Sequence, residues 1–224
     1  MRVSPKGLLE IVEVEGLVLG PYRDSKGIWT DGVGHTANAG GVDPGKMDKI
    51  DTRGYSPELV RSISVQKLRQ FAEDLEKYEA RVNKAITVPL KQYEFDALVS
   101  FDFNTGGIYK AQLTKQINSG NKSGKGFMGW LKPPEIIGRR EDELALFRTG
   151  NYAANGSAIP LYDATKSGQH KRRGTMDTKA LGKLLVSATG NTTKVRTRTA
   201  KKQDGLERLI LMVVRSLLSA FGVK

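Results

Sequence analysis

Cysteine is absent from the 224 residues, which excludes a disulfide framework and a thiolate metal site. No apolar run approaches the roughly 18 residues a spanning helix needs, so none is expected. A secretory leader is not expected either. The opening "MRVSPKGLLEIVEVEG" has only a short apolar run, broken by Glu10 and Glu13, and no small-residue cleavage site. These absences lead us to expect a chain made and folded in the cytoplasm, so that a target outside would require separate release. Acid is scarce in one block. Between Lys166 and Lys202, eleven Lys/Arg face a single acid, Asp177, and this block carries +10 of the net +12. Such a block attracts polyanions such as nucleic acid, lipopolysaccharide, anionic lipid or wall polymer, and its sign does not choose among them. It contains none of the interleaved aromatics of a nucleic-acid stacking platform, so specific nucleic-acid binding is not expected.

What is present suffices for a folded body, with 38% hydrophobic and 27% charged residues. "SPKGLLEIVEVEG" reads as a helix, with Ser4 as N-cap, Pro5 at the first helical position and Leu8, Ile11 and Val12 on one face. Short segments around Leu19–Arg23, Ile28–Thr30 and Val33–His35, separated by glycine turns, predict a small antiparallel hairpin or meander. A Gly- and Asp-rich loop follows from Ala37 to Tyr55. From Ser64 to Val82 the apolar spacing predicts one amphipathic helix, and "QYEFDALVSFDFNTGG" predicts a central buried helix stopped by Gly106-Gly107. Shorter helices are expected around Leu113 and Ile117 and in "EIIGRREDELALF". The fold class is therefore α+β and mainly helical. Three regions are expected: a domain over 1–150, a basic, turn-rich and partly flexible extension over 151–203, and an amphipathic helix over 204–224.

"EGLVLGPYRDSKGIWTDGVGHT", from Glu15 to Thr36, places a carboxylate at the end of an apolar helix, a second in a polar turn and a hydroxyl just beyond. Cutting a glycosidic bond needs such a division of labour: one acid kept neutral to protonate the leaving oxygen, and a charged group opposite to manage the attacking water. Glu15 suits the acid, Asp24 the charged partner, and Thr30 a hydroxyl that both donates and accepts. On spacing alone the plainer alternative stays open, with Asp24 and Gly27 as turn chemistry and Glu15 as a solvated helix end.

The stretch as a whole resembles the phage-type lysozymes of glycoside hydrolase family 24, through Glu15-Gly16-Leu17, Tyr22, Asp24, Gly27, Thr30, Gly32, Gly34 and His35. "VPLKQYEFDALVSFDFNTGG" is similar to that family's central helix, and "IIGRREDELALF" to its late R-R-x-x-E helix. The likeness runs from about Lys6 to Phe147. It implies a small β lobe and a larger helical lobe with a cleft between them. It also implies a muramidase acting on the bond between N-acetylmuramic acid and N-acetylglucosamine, with no cofactor and no metal. Glu15 would be the general acid, Asp24 and Thr30 would position the water, and the outcome would be inversion. Gly32, Phe103 and Asn104 are then candidate substrate contacts, with core packing for Phe103 and helix capping for Asn104 as alternatives. His35 would be structural, paired with Asp74. Arg139 and Arg140 read either as a sugar or phosphate clamp or, as their place beside Glu141 and Glu143 on an amphipathic helix favours, as local ion pairing on a solvated face.

Asp31 departs from the family pattern, which has an apolar residue there; strand alternation points it away from Thr30. The expected partner is the glycan strand of peptidoglycan, met by a monomer. The basic tail could add contact with an anionic outer-membrane or lipid surface. The implied role is an endolysin held in the host cytoplasm until a holin releases it to the periplasm. A wall-binding or virion protein that kept the fold without activity is the alternative.

Overall fold

The computed structural model describes residues 1–154 and 158–177. They belong to a compact unit that runs from Met1 to Ala188, and a second unit runs from Thr189 to Lys224. The part of the expected extension over 151–203 that lies past residue 177, and the expected helix over 204–224, fall outside the described residues.

Helix α1 (Pro5–Glu15) begins as its sequence dictates, with the Ser4 hydroxyl accepting from the Gly7 amide at 3.0 Å. Its Leu8, Ile11 and Val12 face is buried. Gly16 ends it at φ 76°, where a Cβ would meet the Tyr162 ring at 3.0 Å and the Pro160 carbonyl at 3.3 Å. Only glycine lets the chain turn there from helix to sheet against a neighbouring strand.

The sheet then starts with β1 (Leu17–Arg23), β2 (Trp29–Gly32) and β3 (His35–Thr36), joined antiparallel. The β1–β2 register slips between Val18 and Tyr22. Pro21, which has no N–H to donate, sits inside that irregularity.

The helical layer follows. The helix expected over 64–82 is two: α2 (Pro57–Asp74) and α3 (Glu76–Ala85). It starts earlier because Ser56 caps it and Pro57 takes its first position. It breaks at Leu75, whose φ and ψ stay right-handed and whose side chain stays buried. The apolar period therefore runs through the break, which is why the sequence hides it. The central helix is α4 (Gln92–Thr105), with Phe95, Ala97, Leu98, Val99 and Phe101 wholly buried and Gly106 left-handed at its end. Helices α5 (Gln112–Asn118) and α6 (Ile137–Thr149) complete this layer, and Phe101, Phe127 and Phe147 pack edge to face between them.

Residues 159–176 differ from the turn-rich extension expected over 151–203. They form β4 (Ile159–Ala164) and β5 (His170–Met176), and the sheet order is β3-β2-β1-β4-β5. β4 lies parallel to β1, pairing Leu17 with Leu161 and Val18 with Tyr162, while β5 is antiparallel to β4. Ile159, Leu161 and Ala164 are buried against the body. An edge strand spelled "HKRRGTM" has no apolar alternation to read, because exposed charge guards an edge from pairing with other chains.

Candidate active site

Glu15 closes α1 at the sheet entrance, its side chain 29% exposed. Its partner is a cation, where its place at the end of an apolar helix had suggested apolar packing. Arg139 Nη1 from α6 meets its Oε1 at 2.5 Å. Arg139 is itself 8% exposed and reaches on to Glu143 Oε1 at 3.3 Å. Arg140 is fully buried, with its guanidinium over the Phe101 ring, and donates to Glu143 Oε1 at 2.9 Å and to Asn104 Oδ1 at 3.1 Å. The Ser100 hydroxyl adds a third donor to the same oxygen at 2.7 Å. The arginine pair is therefore local ion pairing, with Glu143, but not on a solvated face. Burial pushes Glu143 up to about 7, against the pull of Arg140 and Arg139, and burial also pulls Arg140 down.

Asp24 sits at the tip of the β1–β2 turn. Its Oδ1 accepts from the Lys26 and Ile28 amides, both at 2.9 Å, and its backbone closes the turn to Gly27 and Ile28. The turn chemistry is real, and it orients the carboxylate. Thr30 is buried on β2 opposite Tyr22, with its hydroxyl donating to the Ile28 carbonyl at 3.1 Å. Tyr22 is the strand partner of Thr30. Its phenol is pushed up to about 12, first by burial and then by the charges of Glu15, Asp24 and Asp31. β1 thus begins just after Glu15 and ends at the Asp24 turn, with Thr30 on the strand that pairs with it.

Asp31 faces α2: it is 1% exposed, and Lys67 Nζ lies 2.5 Å from its Oδ2. Gly32, at φ 59°, lies under the Lys67 stem. His35 places Nδ1 2.8 Å from Asp74 Oδ2 and Nε2 3.0 Å from the Val42 carbonyl. Burial raises Asp74, and the hydrogen bond from His35 opposes it. Asp31, His35, Lys67 and Asp74 line a cavity of about 500 Å³ beneath the 39–47 loop, and Glu15, Asp24 and Thr30 do not line it. Phe103 stacks edge-on against Phe71 and Tyr78, at 5.4 and 5.2 Å, with its outer edge toward Gly34. Asn104 is exposed and does not cap α4, a place taken by Gly106.

Sequence reasoning thus missed the Arg139 contact to Glu15 and the burial of Glu143. The R-R-x-x-E spacing was a usable signal, since i,i+3 and i,i+4 put both arginines beside Glu143. Among the described residues no group of three or more His, Asp or Glu side chains is arranged to hold a metal ion, and no helix is long and apolar enough to cross a membrane.

A family model described as phage lysozyme matches residues 12–143. The endolysin of Acyrthosiphon pisum secondary endosymbiont phage 1 is 34% identical over 162 residues, covering 66% of this chain and 99% of its own. The endolysin of Salmonella phage P22 is 35% identical over 156 residues, covering 66% and 98%. Among solved structures, the endolysin from Escherichia coli O157:H7 phage FAHEc1 superposes with a TM-score of 0.56 at 32% identity, covering 68% of this chain and 96% of that one. With its α+β architecture and a motif match across more than half its length, the chain belongs to the phage lysozyme family and is a peptidoglycan-degrading glycoside hydrolase.

Proposed function

We propose that this muramidase cuts the bond between N-acetylmuramic acid and N-acetylglucosamine with Glu15 as general acid and with Asp24 and Thr30 placing the water. The observation that carries the assignment is the layout of the hairpin: Tyr22 and Thr30 pair across β1 and β2, Asp24 sits in the turn that joins them, and Glu15 ends α1 just before β1 begins. Glu15 gives its proton to the leaving oxygen. Asp24, oriented through one oxygen by two amides, supports the positive charge that develops at the sugar, and Thr30 holds the attacking water. Water attacking from the face opposite the leaving group gives inversion. Arg139 must yield its hold as Glu15 engages substrate.

Asn104 is a sugar contact. Its Oδ1 is pinned by Arg140, which leaves the amide NH₂ as a donor at the surface. Phe103 and Gly32 line the same approach. The His35–Asp74 pair braces the 39–47 loop against α2. Residues 1–150 carry the catalytic residues. The enzyme acts as a monomer on the wall after release through the inner membrane by a holin, and the basic residues past 165 add attraction to anionic surfaces.

The test is clearing of purified peptidoglycan by wild type and by Glu15→Gln. The amide keeps the shape and loses the acid proton, so the rate should fall by about 10²–10⁴-fold with folding intact. A folded Glu15→Gln that clears the suspension at the wild-type rate would remove Glu15 from the acid role.

A further inference from the structure

We propose that Glu143 is a positioning residue for the Glu15 acid, acting through the one guanidinium that both carboxylates share. Arg139 offers Nη1 to Glu15 and Nε to Glu143. Glu143 Oε1 collects Ser100, Arg140 and Arg139, while its Oε2 is buried with no partner, as are Nε and Nη1 of Arg140. Two buried cations thus face one buried carboxylate, and Glu15 at the site supplies the second negative charge. The other groups around Glu143 come from three elements. Glu10 and Glu13 on α1 and Asp142 on α6 line a cavity of about 230 Å³ with Ser100, Arg139 and Glu143. Glu10 is held by the amides of Ala153 and Ala154. Asn104 on α4 takes the other bond of Arg140.

The coupling has a definite sign. With Glu143 ionised, its charge offsets Arg139, and Glu15 feels a weakened cation. With Glu143 neutral, the full guanidinium bears on Glu15 and favours its ionised form, the form that has no proton to donate. Replacing Glu143 by a neutral side chain leaves Arg139 uncompensated beside Glu15. The alkaline limb of activity therefore lies higher than Arg139 alone would allow. This inference rests on Glu15 being the acid.

The experiment is the pH profile of kcat/KM, from initial rates on limiting peptidoglycan, for wild type, Glu143→Gln and Arg139→Gln. Near-UV circular dichroism would verify the fold of each. Glu143→Gln should move the alkaline limb down by about half a pH unit or more, and Arg139→Gln should move it up by a similar amount. Ser100→Ala removes only a bond that favours ionised Glu143. It should shift the limb down by less, and it stands in if Glu143→Gln does not fold. Limbs that stay in place while the rate falls at every pH, or that move the same way in the Glu143→Gln and Arg139→Gln variants, overturn the proposal. If Glu15→Gln is folded and fully active, the assignment of Glu15 itself has failed. Unmoved limbs in an enzyme that Glu15→Gln inactivates reject Glu143 alone.

Discussion

Asp31 carries a charge into the protein interior, where its side chain is 1% exposed. Lys67 compensates it from α2, but Asp31 Oδ1 remains buried without a partner. A buried pair of this kind gains little over apolar packing, whereas half of it is costly, because removing one ion strands the other. Lys67→Met should therefore lose about 3–5 kcal/mol in denaturant unfolding, while Asp31→Val with Lys67→Met should match wild type within about 1 kcal/mol or exceed it. A double variant as unstable as the single one would mean that the pair does more than neutralise itself. Glu143 gives a pH signature at the same scale. Its folded value, about 7, lies above the ordinary 4.5. The folded state therefore binds the extra proton between those values, and stability falls as pH rises. The contribution is full below about 4.5 and gone above about 7, on the order of 3 kcal/mol. Melting between pH 5 and 8 should decline more in wild type than in Glu143→Gln. Alternation along β2 was enough to set Asp31 opposite Thr30. No local pattern could reveal Lys67 or Arg139 as partners, since 36 and 124 residues separate the paired groups.

Elements were legible wherever they carry an apolar period or a cap. Ser4-Pro5 and the density of α4 announced two helices, and the glycine turn at Gly27 announced the β1–β2 hairpin. The β4–β5 hairpin escaped because β4 is six residues with an internal proline and β5 holds three consecutive cations and no apolar alternation. Its place in the fold is nonetheless central. It gives β1 a parallel neighbour, and the Gly168 carbonyl accepts from the Arg23 amide at 2.7 Å, next to Asp24. Asp163 joins Thr52 and Arg173, which donates on to the Thr52 and Tyr55 carbonyls and ties down the end of the 37–55 loop. A chain ending at Gly150 should therefore lose its cooperative melt and near-UV signal, because β1 and the Asp24 turn lose their support. Gly168→Val is a milder probe. At φ 80°, with a Cβ position 2.7 Å from the Trp29 ring, it should destabilise by about 1–3 kcal/mol and lower the rate through the Asp24 turn. A chain ending at Gly150 that melts like the full protein would show that the hairpin is an ornament on the sheet.

Charge divides the whole molecule unevenly. Residues 189–224 hold eight Lys/Arg against two acids, half of the net +12, and the proposed catalytic residues Glu15, Asp24 and Thr30 all precede them in the sequence. Chemistry and attraction to anionic surfaces should then be separable. Ending the chain at Ala188 removes that charge and leaves α1, the five-stranded sheet and α6 intact. Hydrolysis of soluble wall fragments should be unchanged. Retention on anionic vesicles or wall should fall several-fold at 50 mM salt, and the difference should close near 0.5 M, where screening shortens the reach of charge to about 4 Å. The salt series is what gives the experiment its force, because apolar attachment would survive high salt and electrostatic attachment would not. Retention that persists at 0.5 M in the full chain would point to the apolar residues between Leu206 and Phe221. Loss of activity on soluble fragments after the same truncation would mean that the second unit supports the catalytic one directly.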